Sequence, residues 1–258
     1  MAESRQGLCP ADRFLEFGVT DSGVPVGLHQ VGVDASGMLG PLAASPDGAR
    51  LAYTTVCTTP ANPGPTWVLH VMDLASGAVS TWTNAVTTAT PADVAQGGVL
   101  AWTADGRSLS FGYQWRPSQS AFADQAVVLV NVDSGSGTVQ AHSRLVWHQS
   151  ARCWPGSCVY SAWISPDGKS LLAEAFGAAT GYPGTFVLEH LSLPAGRVTA
   201  VLFRANTPKA SAGIVEPAAW TDSSGTYWLL TVGNEFGWVR QGQFHPLEPA
   251  SSVADAAW

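Results

Sequence analysis

Two cysteines, Cys153 and Cys158, bracket the run Trp154-Pro155-Gly156-Ser157. A disulfide across so short a span has workable geometry and would pin the neck of a loop. Cys9 and Cys57 could form a second bridge, and an even cysteine count suits an oxidising compartment. Four reduced thiols are the competing reading. A metal site is not expected: there is no CxxC pair, and Cys153 and Cys158 with His148 alone fall short of a tetrahedral set. Near these cysteines and in comparable irregular segments lie Trp115, Arg116, Phe122, His148, Arg152, Trp154 and Tyr182. Exposed aromatics flanked by cations stack on sugars or anchor a partner protein. The competing reading is that the same rings fold back and cap the loops, since apolar surface is buried where it can be.

Catalytic motifs are missing. The sequence has no GxSxG elbow, HExxH helix, Walker loop or GxGxxG turn, and no cofactor is expected. The six histidines are scattered, and His70 and His190 fall in corresponding strands of a repeat, which reads as structural. Glu174, Glu189 and Glu235 lie in or near strands and could face a central channel. Glycan hydrolysis would need two such carboxyls about 5–10 Å apart.

The elements that must position these residues repeat along the chain. LAASPDGARLAYTTV, LAWTADGRSLSFGYQ, SAWISPDGKSLLAEA and AAWTDSSGTYWLLTV each read as strand, tight turn, strand. The turn aspartates Asp47, Asp105 and Asp167 are separated by 58 and 62 residues, and Ser224 takes their place in the fourth copy. Asp bonds its own backbone in such turns, and the glycine that follows supplies positive φ. Each hairpin is followed by a second one, such as WVLHVMDLASGAVSTWT or FVLEHLSLPAGRVTAVLF. One unit is therefore four antiparallel strands, A to D. The units predicted are 39–84, 97–146, 159–204 and 214–248. Segment 13–33 reads as strands C and D of a further unit. The closing residues 254–258 end in Trp258 and read as its A strand, so the two termini would complete one composite sheet.

The repeat SPDGARLAY followed by DLASGAVSTWT resembles the blades of TolB-like, WD-repeat-like β-propellers. The order of WTADGRSLSF, SRLV and the terminal AAW is similar to uncharacterised actinobacterial propeller proteins. The likeness runs over roughly residues 13–258. It implies an all-β, single-domain propeller of about five four-stranded blades. It also implies an extracytoplasmic or membrane-associated setting, with an anchor encoded ahead of this segment. The N-terminus MAESRQGLCPADRF has no apolar signal core, so the chain is either cytosolic or carries its targeting segment elsewhere. Serine-peptidase propellers similar to these blades keep their triad on a separate α/β-hydrolase domain, which this sequence does not contain.

In a propeller the A–B and C–D turns share one face, and the B–C and D–A connections share the other. Here the first set reads as tight and uniform. The second is long: 57–66, 114–124 and 177–185 for B–C, and 84–98, 148–158 and 205–216 for D–A. Long loops on a rigid scaffold are where binding residues gather. Trp67, Trp82, Trp102, Trp163, Trp220 and Trp228 fall in strands and are expected in the core. A net charge of −7 with two lysines argues against nucleic acid as a partner. No stretch approaches the roughly 20 apolar residues of a membrane helix. The expected role is thus a non-catalytic, monomeric binding domain for a protein, a peptide or a cell-wall glycan. A propeller enzyme with channel carboxylates and a purely structural domain are the alternatives.

Overall fold

The structure is a computed structural model. It describes residues 14–19, 25–31, 38–59, 62–83, 96–115, 124–149, 157–177, 185–206, 220–221, 228–232 and 235–246, at the margins of several stretches for the backbone alone. Strands β1 (Phe14–Val19) and β2 (Pro25–Val31) pair as an antiparallel hairpin. Blade 1 is formed by β3 (Met38–Ala44), β4 (Arg50–Thr59), β5 (Asn62–Asp73) and β6 (Val79–Thr83). Blade 2 is formed by β7 (Gln96–Trp102), β8 (Ser108–Trp115), β9 (Asp124–Asn131) and, after a two-residue β10 (Gly137–Thr138) and a single turn α1 (Val139–His142), β11 (Ser143–Gln149). Blade 3 is β12 (Ser157–Ile164), β13 (Ser170–Gly177), β14 (Thr185–Ser192) and β15 (Val198–Asn206). Blade 4 is β16 (Trp220–Thr221), β17 (Trp228–Val232), β18 (Glu235–Arg240) and β19 (Gln243–Pro246). In every blade each strand pairs antiparallel with the blade strand that follows it, which is the meander of a β-propeller blade.

The A–B turns repeat one hydrogen-bond scheme. In blade 1 the Ser45 hydroxyl donates to Asp47 Oδ1, Ala49 N donates to the same oxygen at 3.0 Å, and Arg50 N donates to Ser45 Oγ at 2.8 Å. Thr103 and Asp105 reproduce this in blade 2, and Ser165 and Asp167 in blade 3. The turn needs a left-handed residue after the aspartate, and Gly48, Gly106 and Gly168 sit at φ of 68°, 66° and 69°.

Alternation along the strands sends each sheet's side chains to two seams. Blades 1 and 2 share an apolar core that includes Leu69, Trp82, Leu100, Trp102, Phe111 and Val130. Blades 2 and 3 share Val127, Trp147, Ile164, Leu171 and Ala173. Blades 3 and 4 share Trp163, Leu172, Leu188, Phe203, Trp228 and Val239. The far face of blade 1 buries Tyr53 and Met72. Of the tryptophans expected inside, Trp82, Trp102, Trp163 and Trp228 are buried and Trp67 is half-buried, while Trp220 is described for its backbone only.

Two sequence expectations are corrected. The 57–66 segment is not an open B–C loop. β4 runs to Thr59 and β5 starts at Asn62, with Thr59 paired to Asn62, so the hairpin ladder extends through Pro63 and Pro65. Proline tolerates the extended backbone and loses only a ladder donor. The C–D turns are not uniform either. Only five residues separate β5 from β6 and β14 from β15, but the chain between β9 and β11 makes an excursion. β10 lies parallel on the outer edge of β6, pairing Gly137 with Trp82 and Thr138 with Thr83. Thr81 N donates to Ser136 Oγ at 3.0 Å across that edge, and Thr138 caps α1 through Ala141 N at 3.2 Å. Val132 and Val139 turn inward and join the blade 1–2 core. The segment VDSGSGTVQAHSRL reads as turn and strand by composition, and its two inward valines convert it into a clasp between blades.

Candidate functional site

Among the residues expected to form the binding face, Arg116, Phe122, Arg152, Trp154 and Tyr182 lie outside the described residues. Trp115 is the last residue of β8, paired with Asp124, and is described for its backbone only. His148 is corrected from loop to strand. It sits in β11 opposite Ala126, exposed on the outer edge of blade 2, because pairing resumes after the register shift between Leu145 and Trp147 and carries the ladder to Gln149. Cys9 and Cys153 lie outside the described residues, and Cys57 and Cys158 have described backbone only, so neither pairing falls within them. Trp258 and the composite blade's closing strand lie outside them too.

What the described strands do fix is where those segments attach. The ends of β8 and β9, of β13 and β14, and of each D strand and the next A strand emerge opposite the Asp-Gly turns. The segments 84–95, 116–123, 150–156, 178–184 and 207–219 join them. The turn end is closed on itself. Arg50 donates to the Gly106 carbonyl of the next blade, lies 4.9 Å above the Trp102 ring and pairs with Asp133 at 3.5 Å. Ala104 N donates to Pro166 O at 3.0 Å, tying the turns of blades 2 and 3.

The turn carboxylates are structural. Asp47 is held below the usual carboxylate range first by the Ser45 hydroxyl, Asp167 first by the Ser165 hydroxyl, and Asp105 first by the Arg107 amide. The two histidines occupy corresponding strands but different registers. His70 pairs with Tyr53 and His190 with Leu172, one step apart in the repeat, so they face opposite ways. His70 stacks on Tyr53 at 4.7 Å and meets Thr55 Oγ1 at 2.8 Å on the far face of blade 1. His190 meets the edge of Trp228 at 6.0 Å in the blade 3–4 seam. Burial lowers the pKa of both, and Asp167 partly offsets this at His190.

Glu174 and Glu189 do not converge on a channel. Glu174 pairs with Leu188 and Glu189 with Ala173, so adjacent register positions direct them to opposite faces of one sheet. Glu174 is 1% exposed, faces blade 4, and burial pushes its carboxyl well above the usual range. Glu189 faces the blade 2–3 seam, where burial raises its pKa and Arg204 opposes the rise. Glu235 opens β18 and is described for its backbone only.

A set of residues that sequence reading did not bring together stands out by its missing partners. Ser161 Oγ, both Glu174 oxygens and His190 Nε2 are buried without a hydrogen bond, all in blade 3. Thr54 Oγ1 and Trp82 Nε1 share that condition in blade 1. The repeat itself carries the signal. Thr54, Gly112 and Glu174 each stand seven positions after the turn aspartate, so one seam-facing site holds three chemically different residues.

No family model matches the chain, and no curated protein matches it. Among solved structures, the acylaminoacyl peptidase of Pyrococcus horikoshii is similar at 10% identity and a TM-score of 0.42, over 81% of this chain and 32% of that one. The β-propeller domain of the Trilobed protease from Pyrococcus furiosus, described as having an open velcro topology, is similar at 12% identity and a TM-score of 0.39, over 81% and 56%. Hydrazine synthase of Kuenenia stuttgartiensis is similar at 14% identity and a TM-score of 0.43, over 78% and 58%. The chain thus spans between a third and three-fifths of the structures it resembles. The fold itself is read from the strand order and register of the four sheets: an all-β chain of antiparallel four-stranded blades.

Proposed function

We propose that this chain is a non-catalytic β-propeller binding domain that holds a protein, peptide or cell-wall glycan on its B–C and D–A face. The observation that carries the reading is the asymmetry between the two blade ends. At the turn end, hydroxyls, aspartates and Arg50 satisfy one another within and between blades, leaving little free recognition chemistry. The opposite end receives the long segments, with Trp115, Arg116, Phe122, Arg152, Trp154 and Tyr182 among them or at their edge. Binding residues usually sit on such segments, held by a rigid scaffold. An actinobacterial envelope setting, TolB-like ancestry, a Cys153–Cys158 bridge and monomeric action belong to the same proposal.

The glycan-hydrolase alternative loses the pair Glu174 and Glu189, both of them buried. Glu174 and Glu189 diverge across a sheet, and one substrate cannot lie between them. The test is a binding titration with purified peptidoglycan fragments and with a panel of extended peptides. Changing Trp115 and Trp154 together to alanine is expected to weaken binding at least tenfold, the scale of interface aromatic hot spots. Asp47→Asn, on the turn end, should leave binding unchanged. A folded double variant that binds as tightly as the wild type would overturn the assignment.

A further inference from the structure

Glu174 pairs with Ser161 across β12 and β13, just after the register shift between Val159 and Ser161. Side chains so placed have Cβ atoms about 4.5–5.5 Å apart. Yet the hydroxyl and both carboxyl oxygens are buried and neither side chain bonds the other. One step along the same face, His190 pairs with Leu172, and its Nε2 is likewise unbonded. A diagonal neighbour of this kind stands about 7–8 Å away. Around this set the seam is apolar: Leu172, Leu188, Trp228 and Val239 frame it. Buried polar groups are almost always bonded, to ordered water where protein offers nothing, and such waters take two to four polar partners. Here the partners are grouped on one face and separated by about the reach of a bridging molecule.

We propose that the blade 3–4 seam contains an internal hydration site, in which ordered water bridges the Glu174 carboxyl, the Ser161 hydroxyl and the His190 imidazole, and that loss of the Glu174 proton loosens this seam alone. A neutral carboxyl donates one hydrogen bond and accepts others, which suits a water cluster without a counter-ion. No cation among the described residues faces it. On this face β14 contributes His190, with Asp167 at the turn beside it; β12, β17 and β18 contribute Ser161, Trp163, Trp228 and Val239. Within the repeat the other seams are built differently. At the position of Glu174, blade 2 has Gly112, whose neighbour Ala162 O leaves no room even for a Cβ at 2.7 Å, and blade 1 has the non-ionising Thr54.

The sign of the pH effect follows from linkage. Glu174 is neutral in the folded chain well above the pH at which it ionises unfolded, so stability is whole below about 4.5 and falls as pH rises toward the folded pKa. Thermal and urea unfolding of the whole chain at pH 5 to 9 tests this with Glu174→Gln. Wild type is expected to lose up to about tenfold in its folding constant per pH unit relative to Glu174→Gln, with the loss smallest at pH 5. Parallel pH curves would overturn the proton assignment. A crystal structure of the wild type tests the water without any variant. An ordered water within bonding distance of both Glu174 and Ser161 is expected. A direct Glu174–Ser161 bond, or a seam closed without water, would overturn the site.

Discussion

Blades 2 and 3 occupy neighbouring positions in one repeat, yet they meet their next blades in opposite ways. At the seventh residue after the turn aspartate, Gly112 lets β12 press its backbone against β8, and Ile164 N donates to Ser110 Oγ at 3.1 Å beside it. At the same position Glu174 pushes a carboxyl into a seam that gives it no hydrogen-bond partner among the described residues. The turn before each is nearly identical, down to the oxygen that accepts two bonds. Turn chemistry therefore sets the blade's shape, while one interior position sets how blades join. The first is repeated and the second is individual, because the turn aspartate finds its partners within its own turn and a seam must fit whatever faces it.

The largest expected effect comes from removing the close approach. Gly112→Ala places a Cβ 2.7 Å from Ala162 O, a backbone atom that cannot swing away. Overpacking of this kind costs roughly 1–3 kcal/mol. In a chain of this size each kcal/mol moves the melting temperature by about 2–4 °C. Calorimetry should therefore show a clear drop, with the blade 2–3 seam exchanging its amides first. If Gly112→Ala melts with the wild type, the two seams do not differ as described.

A smaller effect, of the opposite sign, is expected in blade 1. Thr54 faces blade 2 across from Leu69, and its hydroxyl is buried without a partner. Thr54→Val keeps the branched shape and removes the orphaned oxygen. Replacing an unsatisfied polar group by an apolar one of the same shape is neutral or stabilising, here by about 1 kcal/mol. Urea unfolding would read it as a higher midpoint with an unchanged slope. A loss of stability would mean that the Thr54 hydroxyl has a use within the seam.

These differences were partly visible in the sequence. The turn glycines, the spacing of Asp47, Asp105 and Asp167, and the alternating strands led to antiparallel four-stranded blades, because each feature is local and repeated. The clasp from Ser136 to His142 was not visible, since it depends on Val132 and Val139 reaching the core that blades 1 and 2 share. Nor was the extension of β4 and β5 through two prolines, because pairing at Thr59 and Asn62 outweighs local composition there. His70 and His190 looked equivalent by strand, and only register showed that they face opposite seams. Glu174 was legible as a carboxyl in a strand, and parity along β13 decides that it is buried between blades, not facing a channel. The residues of the proposed binding face sit in segments whose sequences do not repeat, so no periodicity fixes their places.

The smallest expected effect tests the repeated half of the comparison. Asp47, Asp105 and Asp167 accept the same bonds in three blades, from the hydroxyl two residues before and the amide two residues after. Those bonds hold each carboxylate below its ordinary range, so the stability they contribute is present above about pH 3.8 and lost as pH falls through the lowered values. Asparagine keeps the accepting oxygen but cannot titrate. Each Asp→Asn variant should therefore melt slightly below the wild type at pH 7 and draw level with it in acid. Because the bonds each carboxylate accepts come from within its own turn, the three shifts should match, whichever blade carries the change. A variant whose shift is several times that of the other two would place a seam contact inside a turn and undo the separation between repeated turn and individual seam.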